Sequence, residues 1–337
     1  MMAKTKNVAL ALSSGGPRGF AYIGAIEELE SRGYNITSVA GTSAGSLVGG
    51  IYAAGGLADF KQWLFDLNNF KVFSLVDFEI GKSYLVKGDK VISAIKEVVP
   101  DVNIEDLRIP FTAAATDLFT GERVVFREGK LFDAIRASIS IPSLFRPVRY
   151  GYHTLIDGGI ASTMPLDLVQ RTEGDILVAF NVNQTDSESI RSFLKAKHDE
   201  IEEMAKAKES GMLFMDYVRA DDTLSPIAKM RMIAERQIEL SLNRIRSNKE
   251  IRDIEEAGER DNIPVEADDN YYSVLSRTFN IMNHTIASLE LKLTPPDVLV
   301  EMEMDSYGAI SDYAKGREIA DKGRELMAAA LDRYEAG

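Results

Sequence analysis

Along the first half of the chain, short apolar runs alternate with longer stretches in which apolar residues recur every third or fourth position. Residues 7–12 (NVALAL) are almost unbroken apolar, which predicts a buried strand. After the loop SSGGPRG, the stretch FAYIGAIEELESRG sets Phe20, Ile23, Ile26 and Leu29 on one helical face and stops at Gly33. ITSVAG predicts a second strand, and AGSLVGGIYAAGG a helix whose small residues let it pack close to a sheet. Residues 111–118, 123–126, 153–157, 175–182 and 297–304 predict further strands. Strands alternating with helices imply a mostly parallel sheet covered on both faces, a three-layer α/β/α fold.

Two regions break the rhythm. Residues 57–87 concentrate Phe60, Trp63, Phe65, Phe70, Phe73, Phe78 and Tyr84 in a chain that is only 8% aromatic. Residues 184–290 form a long, charged, mostly helical stretch between two predicted strands, with the mixed-charge pattern of a solvent-facing helix in KAKHDEIEEMAKAKESGMLFMDYV. The expectation is one domain over 1–337 carrying a helical insertion at 184–290, closed by a C-terminal helix, ISDYAKGREIADKGRELMAAALDRY.

Composition narrows the function classes. The 337 residues, 45% hydrophobic and 27% charged, can bury a substantial core. A net charge of −13 argues against a nucleic-acid partner, because phosphate binding needs a basic face. The absence of cysteine removes disulfides, thiol catalysis and Cys-ligated zinc, and no metal or cofactor is expected. The opening MMAKTKNVALAL sets two lysines before an apolar run, but VALAL is too short for a signal core and flows into a glycine loop. No stretch approaches the ~20 apolar residues of a membrane span. A soluble, cytoplasmic protein is expected, and its oligomeric state is not legible.

Three motifs carry chemistry. GTSAGS puts Ser43 between Gly41 and Gly45 at a strand-to-helix turn, where a serine can be held strained at the top of a sheet. Any side chain at either glycine would collide across that turn, and the following helix points its first amides at the reacting centre. SGGPRG, Ser14 to Gly19, is again a strand-to-helix loop. Pro17 has no N–H, so its donors are Gly15, Gly16, Arg18 and Gly19, arranged for an oxyanion hole or a phosphate cradle. LIDGG ends a strand at Asp157, followed by Gly158 and Gly159. An ordinary aspartate is a poor base at neutral pH, and burial would make it a better one.

A serine nucleophile usually takes its base from a histidine, and the chain has three. His153 stands four residues from Asp157 on a predicted strand, roughly 13 Å away at ~3.3 Å per residue. His198 lies in the charged stretch, and His284 falls among apolar helix positions as a satisfied core residue. The shortage points to a Ser–Asp pair working without histidine.

Together, GGPRG, GTSAG and DGG, in that order, resemble the patatin-like phospholipases, serine acyl hydrolases with a Ser–Asp dyad. The likeness covers about residues 7 to 183, with ATDLFTGERVVF and AIRASISIPSLFRPV as connecting segments. DVLVEMEM and GREIADKGREL are family-like with less specificity. The resemblance implies Ser43 as nucleophile and Asp157 as general base. Gly15, Gly16 and Arg18 become oxyanion amides, with Ala44 a further donor. It implies a lipid or acyl-ester substrate and peripheral membrane contact. Three positions depart from the pattern: Ser14 replaces the loop's first glycine, Ser162 and Thr163 stand where asparagines are frequent, and Ser143 stands where glycine is common.

Several readings remain open at this level. Arg18 either attracts an anionic head group, holds the loop, or caps a helix carbonyl. The aromatic stretch 57–87 either lines an acyl pocket, touches a membrane or packs in the core. The whole protein is a lipid-ester hydrolase, an acyl thioesterase, or a non-catalytic lipid-binding or regulatory protein with 184–290 as its working arm. Nucleotide binding through SGGPRG fits poorly, since the first glycine of a dinucleotide loop is missing and no Lys-Ser/Thr follows.

Overall fold

The computed structural model describes residues 6–75, 86–188, a few separate positions between 190 and 206, and residues 271–308 and 311–337. Phe78, Tyr84 and residues 207–270 of the predicted insertion lie outside the described residues. Contacts divide the chain into two compact units, Met1–Thr185 with Asp268–Gly337, and Asp186–Ala267. The C-terminal part of the 184–290 stretch, helix α7 (Tyr271–Leu293), thus belongs to the first unit, which holds everything below.

Five parallel strands form the backbone of the sheet: β1 (Asn7–Leu12), β2 (Asn35–Thr42), β3 (Phe111–Asp117), β7 (Ile176–Gln184) and β8 (Val298–Glu303). β1 lies between β2 and β7, so the chain first builds outward on one side and later returns to build on the other. The strand order reverses there, and the crevice at the carboxyl ends of such strands is where open α/β sheets bind ligands. Three antiparallel strands complete it: β4 (Arg123–Phe126), β5 (Val148–Tyr150) and β6 (His153–Asp157).

The pleat divides β1 between two cores. Val8, Leu10 and Leu12 face a large cluster containing Tyr22, Ile23 and Ile26 of α1 (Ala21–Ser31), Val48 and Ile51 of α2 (Ala44–Ala53), and Met327 and Leu331 of α8 (Gly316–Ala336). Ala9 and Ala11 point the other way, joining Ala40, Ala114 and Ala179 in an alanine-rich face covered by Ala287 and Leu291 of α7 and by Met164 to Val169. Small side chains on that face let α7 approach the sheet closely, and the two faces together make the expected three layers.

One register relation decides where the site forms. β2 and β4 both pair with Ala113 and Ala114 of β3, so they occupy opposite edges of it. β4 and β6 both pair with Ala115 and Thr116, so they too are on opposite edges. β2 and β6 therefore share one edge of β3 and run toward each other, ending at neighbouring levels: Thr42 opposite Ala114, Asp157 opposite Ala115.

Candidate active site

Ser43 follows Thr42 at the end of β2 and precedes α2 with φ 53° and ψ −117°, a conformation that costs a non-glycine residue about 1–3 kcal/mol. Its neighbours are glycines for a steric reason. A β-carbon on Gly41 would stand 2.3 Å from the Gly45 carbonyl, and one on Gly45 would stand 2.2 Å from the Leu12 carbonyl oxygen. The turn is fixed from below by Ser138, the last residue of α6 (Leu131–Ser138). Its Oγ accepts the Ser43 N–H at 2.8 Å and donates to the Ala114 carbonyl at 2.6 Å.

Asp157 ends β6 and meets Ser43 across the strand junction. Ser43 Oγ donates to Asp157 Oδ2 at 2.6 Å, while Gly159 N–H donates to Oδ1 at 2.8 Å. Ser43 is 3% exposed and Asp157 fully buried. Burial pushes the carboxyl up to about 7, against the opposing pull of the two donors from Ser43 and Gly159. That places its ionisation in the range a general base needs at neutral pH. Gly158 is required here as well, since a β-carbon on it would lie 2.2 Å from the Ala114 carbonyl oxygen.

The glycine loop comes from the end of β1 and continues into a 3-10 turn, Gly16–Phe20. Gly15, Gly16 and Arg18 line a cavity of about 90 Å³ together with Ser43. Ala44 opens α2 and Gly19 packs beneath it, too close for a β-carbon (2.4 Å to Ala44 Cβ). The loop is tied down by Ser14 N–H to the Thr163 carbonyl (2.9 Å) and by Asn183 Nδ2 to the Ser14 carbonyl (2.7 Å). Ser14 Oγ itself is buried without a partner among the described residues.

Arg18 corrects two of its three sequence readings. Its guanidinium is buried and donates to the carbonyls of Val182 (3.1 Å), Met304 (2.7 Å) and Tyr307 (3.4 Å), and to Asn280 Oδ1 (3.2 Å). These carbonyls stand in and just beyond β7 and β8, not at a helix end, and they leave the group spent on the fold rather than offered to a head group. Burial lowers the guanidinium to about 10. Arg18 holds the loop.

The histidines fall outside the dyad. His153 Nδ1 pairs with Asp117 Oδ2 at 2.5 Å, His284 Nδ1 meets the Asn183 carbonyl at 2.9 Å, and His198 is exposed. Among the described members of the aromatic stretch, Phe60 is core and Phe70 and Phe73 are exposed; none lines the cavity beside Ser43. The cavity wall comes instead from Ile141 to Leu144 and from α7, with Leu275, Ser276, Phe279, Asn280 and Asn283. Ser143 takes φ 65° in that wall, the left-handed conformation that explains why glycine suits the position. Ser162 bonds Glu290 (2.7 Å) and Thr163 bonds the Gly159 carbonyl (2.9 Å), so both departures after the aspartate are satisfied polar contacts. Sequence reasoning missed Ser138, Asn183 and the α7 wall. Among the described residues no acidic or histidine cluster could hold a metal, and no helix is long and apolar enough to cross a membrane.

Comparison with known proteins bears on this geometry. The family model described as patatin-like phospholipase matches residues 10–169. An uncharacterized NTE family protein of Mycobacterium tuberculosis is 31% identical over 352 residues, covering 99% of this chain and 93% of the relative. Patatin-like phospholipase domain-containing protein 7 of Rattus norvegicus is 28% identical over 194 residues, 55% of this chain and 14% of that protein. The crystal structure of VipD from Legionella pneumophila aligns with a TM-score of 0.46 at 16% identity, over 98% of this chain and 67% of that one. The matched segment contains the glycine loop, the serine turn and the aspartate, and the likeness to the mycobacterial relative runs nearly end to end; the chain belongs to the patatin-like phospholipase family.

Proposed function

We propose that this protein hydrolyses lipid acyl esters through an acyl-Ser43 intermediate, with Asp157 as the only general base. Membership of a phospholipase family supports lipid hydrolysis in general. The observation that carries the finer reading is the 2.6 Å contact between Ser43 Oγ and a fully buried Asp157 whose ionisation lies near 7.

The steps balance with these two groups alone. Ionised Asp157 takes the Ser43 proton as Oγ bonds to the ester carbonyl carbon. The amides of Gly15, Gly16, Arg18 and Ala44 stabilise the resulting oxyanion, at no reorganisation cost because the loop is held by Arg18 and Asn183. Collapse breaks the bond to the alcohol, which leaves with the proton from Asp157. Water then attacks the acyl carbon, Asp157 takes a proton from it, and the carboxylic acid departs as Ser43 recovers its hydrogen.

A fluorophosphonate probe tests the nucleophile. The wild-type protein is expected to label on Ser43 and the Ser43→Ala protein not at all. Equal labelling of the two sinks the assignment.

A further inference from the structure

Helix α7 lies outside the 10–169 segment that carries the family motifs, yet it forms one wall of the Ser43 cavity. Its cavity-lining residues are not mixed at random. At about 100° per residue, Leu275 and Phe279 fall within about 40° of each other, and Asn283, Ser276 and Asn280 follow at about 80° to 140°. The wall is thus split lengthwise into an apolar strip and a polar strip. Ile141, Pro142 and Leu144 supply further apolar lining to the same cavity. An ester with a hydrocarbon acid and a polar alcohol has the same division.

Within the polar strip, the side chains differ in what they have left to offer. Asn280 spends Oδ1 on Arg18. Asn283 is 1% exposed and its Oδ1 accepts from Thr163 Oγ1 at 3.2 Å, but Nδ2 has no partner among the described residues. That leaves Nδ2 as a donor not spent on the fold, on a residue that lines the cavity. The group is also close to the dyad. Asn283 Oδ1 and Asp157 Oδ1 lie 2.9 and 3.1 Å from the point where a β-carbon on Gly159 would stand, so they are within about 6 Å of each other.

We infer that Asn283 is a specificity-determining residue that donates its Nδ2 hydrogen to an oxygen on the alcohol side of the bound ester, a glycerol hydroxyl or a phosphate-ester oxygen. The inference rests on the lipid-ester reading above and adds which part of the substrate is recognised. Leu275 and Phe279 take the acyl side, and Asn283 reads the alcohol. A hydrogen-bonding site of this kind discriminates against substrates lacking the acceptor more sharply than an apolar pocket discriminates by size.

The test separates contact from catalysis. In the Ser43→Ala background, binding of lysophosphatidylcholine and of a monoacylglycerol with the same acyl chain is measured with Asn283 intact, as Asn283→Asp and as Asn283→Ala. Asn283→Asp keeps an oxygen for Thr163 and removes the donor, and thermal melting of each variant separates a loss of folded protein, which a new buried carboxylate can cause, from a loss of binding. Binding is expected to weaken roughly 5- to 50-fold. Loss for both lipids identifies a glycerol oxygen, and loss for lysophosphatidylcholine alone identifies a phosphate oxygen. With Ser43 present, kcat/KM on the affected lipid, divided by that on the p-nitrophenyl ester of the same acid, is expected to fall by a similar factor. Unchanged Kd for both lipids in both variants overturns the inference, as does an equal loss on lipids and p-nitrophenyl ester. Protein that binds lipid through Asn283 but hydrolyses nothing would instead overturn the hydrolase reading alone.

Discussion

Replacing Asp157 by asparagine should abolish turnover and yet stabilise the fold, by an amount that depends on pH. In the folded protein the carboxyl is fully buried and titrates near 7; in the unfolded chain it titrates near 3.9. The folded pKa is the raised one, so folding favours the protonated form. That contribution is fully present below about pH 4 and is lost as the pH rises through about 7. At about 1.4 kcal/mol per unit, burying this carboxyl costs about 4 kcal/mol at pH 8, where it is ionised in the core, and about 1.5 kcal/mol at pH 5, where folding forces it to take up a proton. Asparagine has no proton to lose and avoids this cost at every pH. Whatever it forfeits in hydrogen bonding to Ser43 and Gly159 is the same at both pH values and cancels in the comparison. The quantity to measure is therefore a double difference, the stability gain of Asp157→Asn at pH 8 minus that at pH 5, expected near 2.5 kcal/mol. Denaturant titration of both proteins at both pH values gives it directly, and the same contrast should appear as several degrees in Tm. A double difference below about 0.5 kcal/mol would mean that burial does not raise the folded-state pKa of Asp157 above about 5. The case for it as a base tuned by burial would fall with it.

Three further outcomes follow from the same geometry. On a water-soluble p-nitrophenyl ester, kcat/KM should rise about tenfold per unit below pH 7 and level off above it, because only ionised Asp157 accepts the Ser43 proton; a flat profile from pH 5.5 to 8.5 contradicts this. Gly45→Ala should destabilise the protein by about 2 kcal/mol or more in denaturant titration, since the new methyl meets backbone at 2.2 Å, and a change under 0.5 kcal/mol would show that the turn can yield. Arg18→Met should cost about 2–5 kcal/mol by orphaning the carbonyls of Val182, Met304 and Tyr307. It should also slow fluorophosphonate labelling through a loosened loop; a Met variant of wild-type stability would make Arg18 dispensable as a brace.

What the sequence disclosed and what it withheld divide along physical lines. Parallel strands buried on both faces announce themselves as apolar runs, so β1, β2, β3, β7 and β8 were legible within two residues of their ends. β5 was not, because its three residues, VRY, are half-exposed or exposed and carry no pattern; they exist as a strand only by pairing with β6. Gly41 and Gly45 disclosed the serine turn because steric exclusion leaves a mark on residue type. Ser138 left none, since a serine ending a helix looks like any other until Ser43 N–H and the Ala114 carbonyl converge on it. The α7 wall was hidden by charge: the mixed-charge stretch before it drew residues 271–290 into one insertion. Ala287 and Leu291 nevertheless place that helix on the alanine face of the sheet.

The deepest of these gaps concerns how two residues separated by 114 positions come to share a proton. Spacing along the chain says nothing about it, and neither motif contains the other's address. The address lies in β3. One of its edges has room for two strands placed end to end, β2 arriving parallel and β6 arriving antiparallel, and both terminate at the same junction. A strand that ends against another strand must turn out of the sheet, which is why Ser43 adopts a positive φ there and why Gly158 must be bare against Ala114. The strain at Ser43 and the burial of Asp157 are then consequences of one junction, not two separately tuned features. Moving the register of β6 by a single residue would flip Asp157 to the other face of the sheet and leave Ser43 facing a backbone with no base.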